Sequence, residues 1–338
     1  MNTPVDVVVI GSGYWGRNYV RLLSHLPEAN LVAVCDQSEG RLEEAAKVNP
    51  NAVLYKDLES LIKGTKFDAA IVCTNPSNHF KITRRLLQAG KHTLVEKPIT
   101  TSSKDAETLS KIAAENNLKL MVGHTFIFNA GIREIKNYIN SGQVGKVYYM
   151  YARRTNLGPI RDDINAVWDL APHDISIFNY FMEDKPEWVS AVGSAFRGNG
   201  VDAGFIVLNY PNGKVANIHV SWADPHKVRE VVVIGSEQRV VFNDMVSQEK
   251  VTIYKKGIPA SSIPHNYVDY QFSLRDGDIV CPTITYGEPL KNQVIHFLEC
   301  VCNGKEPMTS SKSGEDVIKV LEAIDKSMSK NGVPVKVG

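Results

Sequence analysis

Residues 11–16 read Gly11-Ser12-Gly13-Tyr14-Trp15-Gly16, and they join an apolar run at 5–10 to a segment of helical periodicity at 17–26. Each glycine has a separate physical use. Gly11 permits a tight strand-to-helix turn, Gly13 lets the backbone approach a pyrophosphate, and Gly16 lets the helix pack closely on the strand. The helix N-terminus adds open N–H groups and partial positive charge. A second apolar run at 31–35 ends in Asp36. An acid there accepts both ribose hydroxyls of an adenosine and repels a 2′-phosphate. The pattern therefore predicts a dinucleotide site, for NAD in preference to NADP. The plainer alternative is a glycine turn followed by an acid that caps a strand.

The periodicity extends this frame. Apolar runs at 5–10, 31–35, 69–73, 92–95 and 119–122 alternate with helical patterns at 17–26, 41–48, 58–63, 81–89 and 104–116. Such alternation is the mark of a parallel, doubly wound α/β sheet. The pattern changes near Asn129. After a helix at 131–140, strands are expected at 146–154, 187–197, 203–210, 214–222, 228–235, 238–242 and 250–254, with Pro211-Asn212-Gly213 as a hairpin turn. Helix-sized connections are missing there, so this second sheet should be mostly antiparallel and open-faced. One helix interrupts it at 172–182, and two close the chain at 290–302 and 314–329. The expected division is 1–125, a Rossmann domain, and 126–338, an α+β domain for substrate binding and oligomerisation, with the C-terminal helices free to pack back on the first. Residues 257–288 carry few regular signals and are expected to form a surface excursion.

Composition narrows the class. The chain has 338 residues, about two domains' worth. With 38 basic and 37 acidic side chains it has no electrostatic footprint for nucleic acid or a membrane surface. No apolar run approaches the roughly 20 residues that span a bilayer, and a strand begins too early to leave room for a signal peptide. Five scattered cysteines, an odd number, argue for reduced thiols. No cysteine–histidine cluster suggests a metal. A cytoplasmic protein is expected. Tyr149, Tyr151, Phe205, Val207, Ile218 and Val220 fall on the outer face of the second sheet in one register or the other. An apolar face of that size predicts a homo-oligomer, a dimer or tetramer.

Three further signals carry chemistry. The third strand runs into Cys73-Thr74-Asn75-Pro76-Ser77-Asn78-His79. Ligands bind at the carboxyl ends of strands in such sheets, which puts Thr74 and Asn75 beside the dinucleotide. His79 either faces the same crevice or caps the next helix. The fourth strand ends in Glu96-Lys97-Pro98. A charged pair there is costly unless paired or functional. Lys97 either meets the nicotinamide end of the cofactor or forms a surface pair with Glu96, and Pro98 raises the question of a cis bond. Finally, Asp169 and His173 in Trp168-Asp169-Leu170-Ala171-Pro172-His173-Asp174 are four apart and share one face if both are helical. Pro172 fits a first turn, which places His173 near a helix N-terminus whose field disfavours imidazolium. A neutral imidazole is what a general base needs. The alternative is a capping Asp and a core His.

The glycine loop, Asp36, the stretch 74–79, Glu96-Lys97-Pro98 and the Asp169…His173 pair, in this order and at these separations, resemble the glucose–fructose oxidoreductase, inositol dehydrogenase and MocA family (Gfo/Idh/MocA). The resemblance spans essentially the whole chain. It implies NAD as cofactor, a small-molecule substrate, and a catalytic group of Lys97, Asp169 and His173. For the cofactor it implies Gly11, Gly13, Tyr14, Trp15, Gly16, Asp36, Thr74, Asn75, His79, Glu96, Lys97 and His124. The run Arg154-Thr155-Asn156-Leu157-Gly158-Pro159-Ile160-Arg161, leading into the 168–174 segment, is similar to members that oxidise nucleotide sugars, UDP-N-acetylglucosamine at C3 in particular. That branch implies Lys97, Arg154, Asn156, Arg161, Trp168 and His173 as substrate-binding residues. Pro172 and His124 depart from the commoner family pattern.

The residues support a diphosphate-bearing substrate through Arg153, Arg154 and Arg161, since a diphosphate needs several forked donors. Two of the three could equally be solvated or hold an oligomer. The expected chemistry is oxidation of a secondary hydroxyl of a nucleotide sugar: His173 accepts its proton, Lys97 stabilises the alkoxide, Asp169 orients them, and Tyr14 and Trp15 cover the cofactor. The rivals are a ketosugar reductase using the same residues, an inositol or free-sugar dehydrogenase, and an NAD(H)-sensing protein without turnover.

Overall fold

A computed structural model describes residues 4–158, 160–161, 163–197, 200–255 and 277–338. The chain divides into two compact units, Met1–Thr125 with Glu288–Ile318, and Phe126–Gly287 with Lys319–Gly338.

The first unit is built on a six-stranded parallel sheet. In chain order it runs β1 (Val5–Ile10), α1 (Tyr14–Leu23), β2 (Ala29–Cys35), α2 (Glu39–Val48), β3 (Val53–Tyr55), α3 (Leu58–Gly64), β4 (Ala69–Val72), α4 (Pro76–Gln88), β5 (His92–Glu96), α5 (Ser103–Glu115) and β6 (Leu120–Gly123). The strand order is β3-β2-β1-β4-β5-β6. Strand order reverses between β1 and β4, the point at which such sheets bind ligands. The central strands are buried on both faces: Val7, Val8, Val9 and all of β4 have no exposed surface. That is why they read as unbroken apolar runs. The three-residue β3 escapes sequence reading, because its Val53 and Leu54 are exposed and too few to show a period.

The second unit holds a nine-stranded sheet. It contains α6 (Ala130–Asn140), β7 (Val147–Leu157), α7 (Ala166–Met182), β8 (Trp188–Ser194), β9 (Ala203–Tyr210), β10 (Lys214–Ser221), β11 (Ala223–Gly235), β12 (Arg239–Asn243), β13 (Val251–Tyr254), β14 (Ile279–Val280) and β15 (Val335–Lys336). The order is β14-β13-β12-β11-β7-β10-β9-β8-β15, antiparallel throughout except for the β7–β10 pair. The helices α8 (Pro289–Asn303) and α9 (Ser311–Met328) come late in the chain. Helix α7 packs on β7, β9 and β10. The register separates the candidate face residues. Ile218 and Val220 belong to the core, whereas Tyr149, Phe205 and Val207 are exposed on the other side. The excursion expected over 257–288 falls largely outside the described residues, as does Pro159.

One expectation is overturned here. Helix α7 begins at Ala166, six residues before Pro172, with Asn165 as its N-cap accepting from Trp168 N at 2.9 Å. Pro172 is therefore interior and His173 is beyond the first turn. The end-field argument does not reach it, because that field fades within a turn. The asparagine cap was the missed signal: it outranks a proline that a packed helix tolerates.

Candidate active site

The glycine loop is built as a cradle. Gly11 has φ +88°, and a Cβ there would lie 2.8 Å from the Cys73 carbonyl carbon and 2.9 Å from Thr74 N. A Cβ at Gly16 would run into the Gly11 carbonyl oxygen. At Gly13, by contrast, a Cβ would meet only Arg41 Nη1, at 3.9 Å, so the turn keeps an open face at the mouth of α1. Gly13 is the N-cap of α1, and no side chain caps that end. This is the arrangement a pyrophosphate requires, and the residues fit a dinucleotide. Asp36, at the end of β2, is buried. Its Oδ2 accepts from Ser12 N at 2.7 Å and its Oδ1 from Ser38 N at 2.9 Å, with Arg41 Nη1 at 3.7 Å. Two backbone donors leave a carboxylate with further acceptor capacity. Tyr14 and Trp15 stand out in solvent, 73% and 40% exposed, with rings edge to face at 5.7 Å.

The ends of β4, β5 and β6 meet beside this loop. Thr74 is partly exposed, and Asn75 is the exposed N-cap of α4, preceding Pro76 at its first turn. His79 does not cap α4, whose N-cap is Asn75. It is buried, with Nδ1 2.8 Å from the Pro98 carbonyl oxygen and Nε2 2.9 Å from that of Thr74. It thereby ties the loop after β4 to the loop after β5. The Lys97–Pro98 bond is cis. Glu96 is not a surface partner for Lys97 but a buried carboxylate. Tyr19 donates its hydroxyl to Oε1 at 2.6 Å and Lys97 N donates to Oε2 at 3.2 Å. Burial pushes the Glu96 carboxyl up, against the lowering effect of the Tyr19 hydrogen bond. Gln293 of α8 donates to the Tyr19 oxygen at 2.7 Å and accepts from Thr125 Oγ1 at 2.9 Å. A chain of polar groups thus supports the backbone of Lys97 from below. Sequence reading missed Tyr19 and Gln293, which are 274 residues apart and carry no local signal. His124, at the end of β6, is 2% exposed, and neither ring nitrogen has a hydrogen-bond partner among the described residues. Burial first, then the Lys97 charge, holds its pKa down to about 3, so it is a neutral imidazole.

In the second unit, Asp169 and His173 are both within α7 and therefore share a face. Arg161 reaches Asp169 Oδ1 with Nη1 at 3.3 Å and holds Asp163 with Nε and Nη2 at 2.8 and 2.7 Å. The expected arginine cluster does not exist. Arg153 and Arg154 are consecutive on β7 and point to opposite faces, as strand geometry requires: Arg153 is exposed and Arg154 is buried. Arg154 gives both arms of its fork to Asp174, Nε to Oδ2 at 2.9 Å and Nη2 to Oδ1 at 2.7 Å. Trp168 is buried as well, with its indole N–H donating to Asp325 at 2.8 Å. Asn156 donates to the Gly158 carbonyl. Lys97 belongs to the first unit and Asp169 and His173 to the second.

The glycine cradle at a doubly wound sheet and the charged residues at its carboxyl edge define an NAD-binding oxidoreductase. Residues 5–124 match the model of an oxidoreductase family with an NAD-binding Rossmann fold, and residues 132–241 match the GFO/IDH/MocA C-terminal domain. The chain belongs to the Gfo/Idh/MocA oxidoreductase family. It is 26% identical over 350 residues to scyllo-inositol 2-dehydrogenase (NAD(+)) of Bacillus subtilis, spanning 99% of this chain and 97% of that protein. It is 30% identical over 217 residues to UDP-N-acetylglucosamine 3-dehydrogenase of Acidithiobacillus ferrooxidans, spanning 63% and 66%. A solved structure of UDP-N-acetylglucosamine 3-dehydrogenase from that organism shares the fold with a TM-score of 0.82 at 22% identity, covering 97% of this chain and 99% of the other.

Proposed function

We propose that the protein oxidises a secondary ring hydroxyl of a nucleotide sugar, at C3 of a substrate such as UDP-N-acetylglucosamine, with Lys97, Asp169 and His173 as the catalytic group. Bound NAD supplies the acceptor for the carbinol hydride. His173 takes the hydroxyl proton as general base. The Lys97 ammonium stabilises the oxyanion as it forms, and Asp169 orients the proton-transfer group. Gly11, Gly13 and Gly16 seat the pyrophosphate, Asp36 reads the adenosine ribose, and Tyr14 and Trp15 cover the cofactor.

The observation that carries the substrate reading is Arg161, a half-exposed guanidinium 3.3 Å from Asp169 and beside the His173 face of α7. Its fork is held by Asp163, and an anionic substrate would take that fork in exchange for the partly exposed carboxylate. Arg154 favours a second reading, a cyclitol such as an inositol: its commitment to Asp174 removes one of three arginines from a diphosphate. One relative that spans nearly the whole chain is an inositol dehydrogenase. The odd, scattered set of five cysteines supports a reducing, cytoplasmic setting. The exposed Tyr149, Phe205 and Val207 support a homo-oligomer.

The test is incubation with NAD and a panel of nucleotide sugars, free sugars and inositols, followed at 340 nm. Turnover of UDP-N-acetylglucosamine and not of inositols is expected, and the reverse selects the cyclitol. Saturable NADH binding without turnover of any substrate would mark a sensor. Lys97→Ala should bind NADH normally while kcat drops by about a thousandfold or more; full turnover in that variant would remove Lys97 from the catalytic group.

A further inference from the structure

We infer that Phe126, clamped by the buried Arg154–Asp174 pair, is a positioning residue that sets the orientation of the His173 imidazole. The inference rests on the reading of His173 as the proton acceptor.

The Arg154–Asp174 pair calls for an explanation beyond stability. Its side chains are 5% and 1% exposed. Withdrawing two charges from water is costly, and an apolar pair of the same volume commonly serves a core as well. What a bidentate fork adds is direction: two parallel hydrogen bonds leave the carboxylate and the guanidinium one relative orientation. Asp174 is the residue after His173 on α7, so this lock acts one step from the imidazole. It also acts across space. The Arg154 guanidinium lies over the Phe126 ring, with Cζ 4.2 Å from the centroid. The Phe126 ring meets the His173 ring at 5.0 Å between centroids and 62° between planes. Arg229 stands opposite Arg154 in the β11–β7 ladder and places its own guanidinium 5.9 Å from the same ring.

Phe126 is therefore held by cations from two adjacent strands, and its edge-to-face contact with His173 leaves the imidazole few orientations. A planar general base needs its lone pair aimed, and small misplacements of a reacting group cost large factors in rate. The second unit thus fixes His173 on two sides, through the backbone at Asp174 and through the ring at Phe126. The role also accounts for the burial of Arg154.

The test compares wild type with Phe126→Leu, Phe126→Tyr and Arg154→Lys. It reads NADH affinity by fluorescence, kcat on whichever panel substrate the wild type oxidises, and the His173 ring signals in the aromatic proton–carbon spectrum, assigned with His173→Ala. Phe126→Leu should displace the His173 signals and reduce kcat by about tenfold to a hundredfold, at unchanged NADH affinity. Phe126→Tyr, which keeps the ring, should restore both. Arg154→Lys keeps the charge without the fork and should repeat the displacement, so it decides the matter should Phe126→Leu fail to fold. A folded Phe126→Leu enzyme with unmoved His173 signals, or with wild-type kcat, overturns the proposal. Full activity in His173→Ala overturns the reading of His173 instead, and the positioning claim then stands or falls on the His173 signals alone.

Discussion

Asp36 accepts the backbone N–H groups of Ser12 and Ser38, one on each carboxylate oxygen, and so is pinned at the end of β2 before any cofactor arrives. A pinned carboxylate cannot swing away from an added phosphate, and its charge opposes one. Asp36→Ala should lower the ratio of kcat/KM for NAD over NADP by about tenfold or more, helped by Arg41, whose guanidinium would then lack the carboxylate 3.7 Å away. An unchanged ratio would mean that Asp36 does not reach the ribose. His124 offers a second prediction at this scale. Its pKa is held at about 3 in the folded chain, against about 6.5 when exposed. A depressed pKa contributes stability that is whole above pH 6.5 and is lost as the pH falls toward 3, because the unfolded chain takes up the proton first. The slope is at most about 1.4 kcal/mol per pH unit. Urea unfolding at pH 7, 6 and 5 should show wild type losing stability faster than His124→Leu, and parallel losses would place a partner on that imidazole.

At the scale of elements, short-range patterning carried the first unit well. Its long strands are buried on both faces and its helices have one polar side, so the periods of the sequence are the periods of the fold. The failures share one cause. A local rule for proline starts α7 at Pro172, while packing of the segment against β7, β9 and β10 carries the helix back to the Asn165 cap. Proximity in sequence groups the arginines at 153 and 154, although neighbours on a strand point to opposite faces. Trp168 and Arg154 sit in a segment that looks like a binding loop and are nevertheless core residues, with partners at Asp325 and Asp174.

At the scale of the whole molecule, the second unit's sheet leaves one face uncovered by the helices among the described residues. Tyr149, Phe205 and Val207 are 46%, 50% and 38% exposed there, and Phe205 stacks on His219 at 4.5 Å. Apolar surface of this kind is costly in water. Light scattering at micromolar concentration should give the mass of a dimer or tetramer, and Phe205→Asp with Val207→Asp should reduce it toward that of one chain. A wild-type monomer under those conditions would require another cover for the face.

The glycine turn, the alternation of strand and helix, the acid after β2 and the helical spacing of Asp169 and His173 are legible in the order of residues. All of these rest on interactions within a few residues, where backbone sterics and hydrophobic period dominate. Tertiary structure alone decided which side of β7 each arginine faces and that Glu96 is buried under Tyr19 and Gln293. It alone decided, too, that Phe126 stands between Arg154 and His173. Those outcomes depend on burial and pairing between segments 20 to 274 residues apart. The cost of leaving a charge or polar group unpaired selects the partner there, and no local pattern records it.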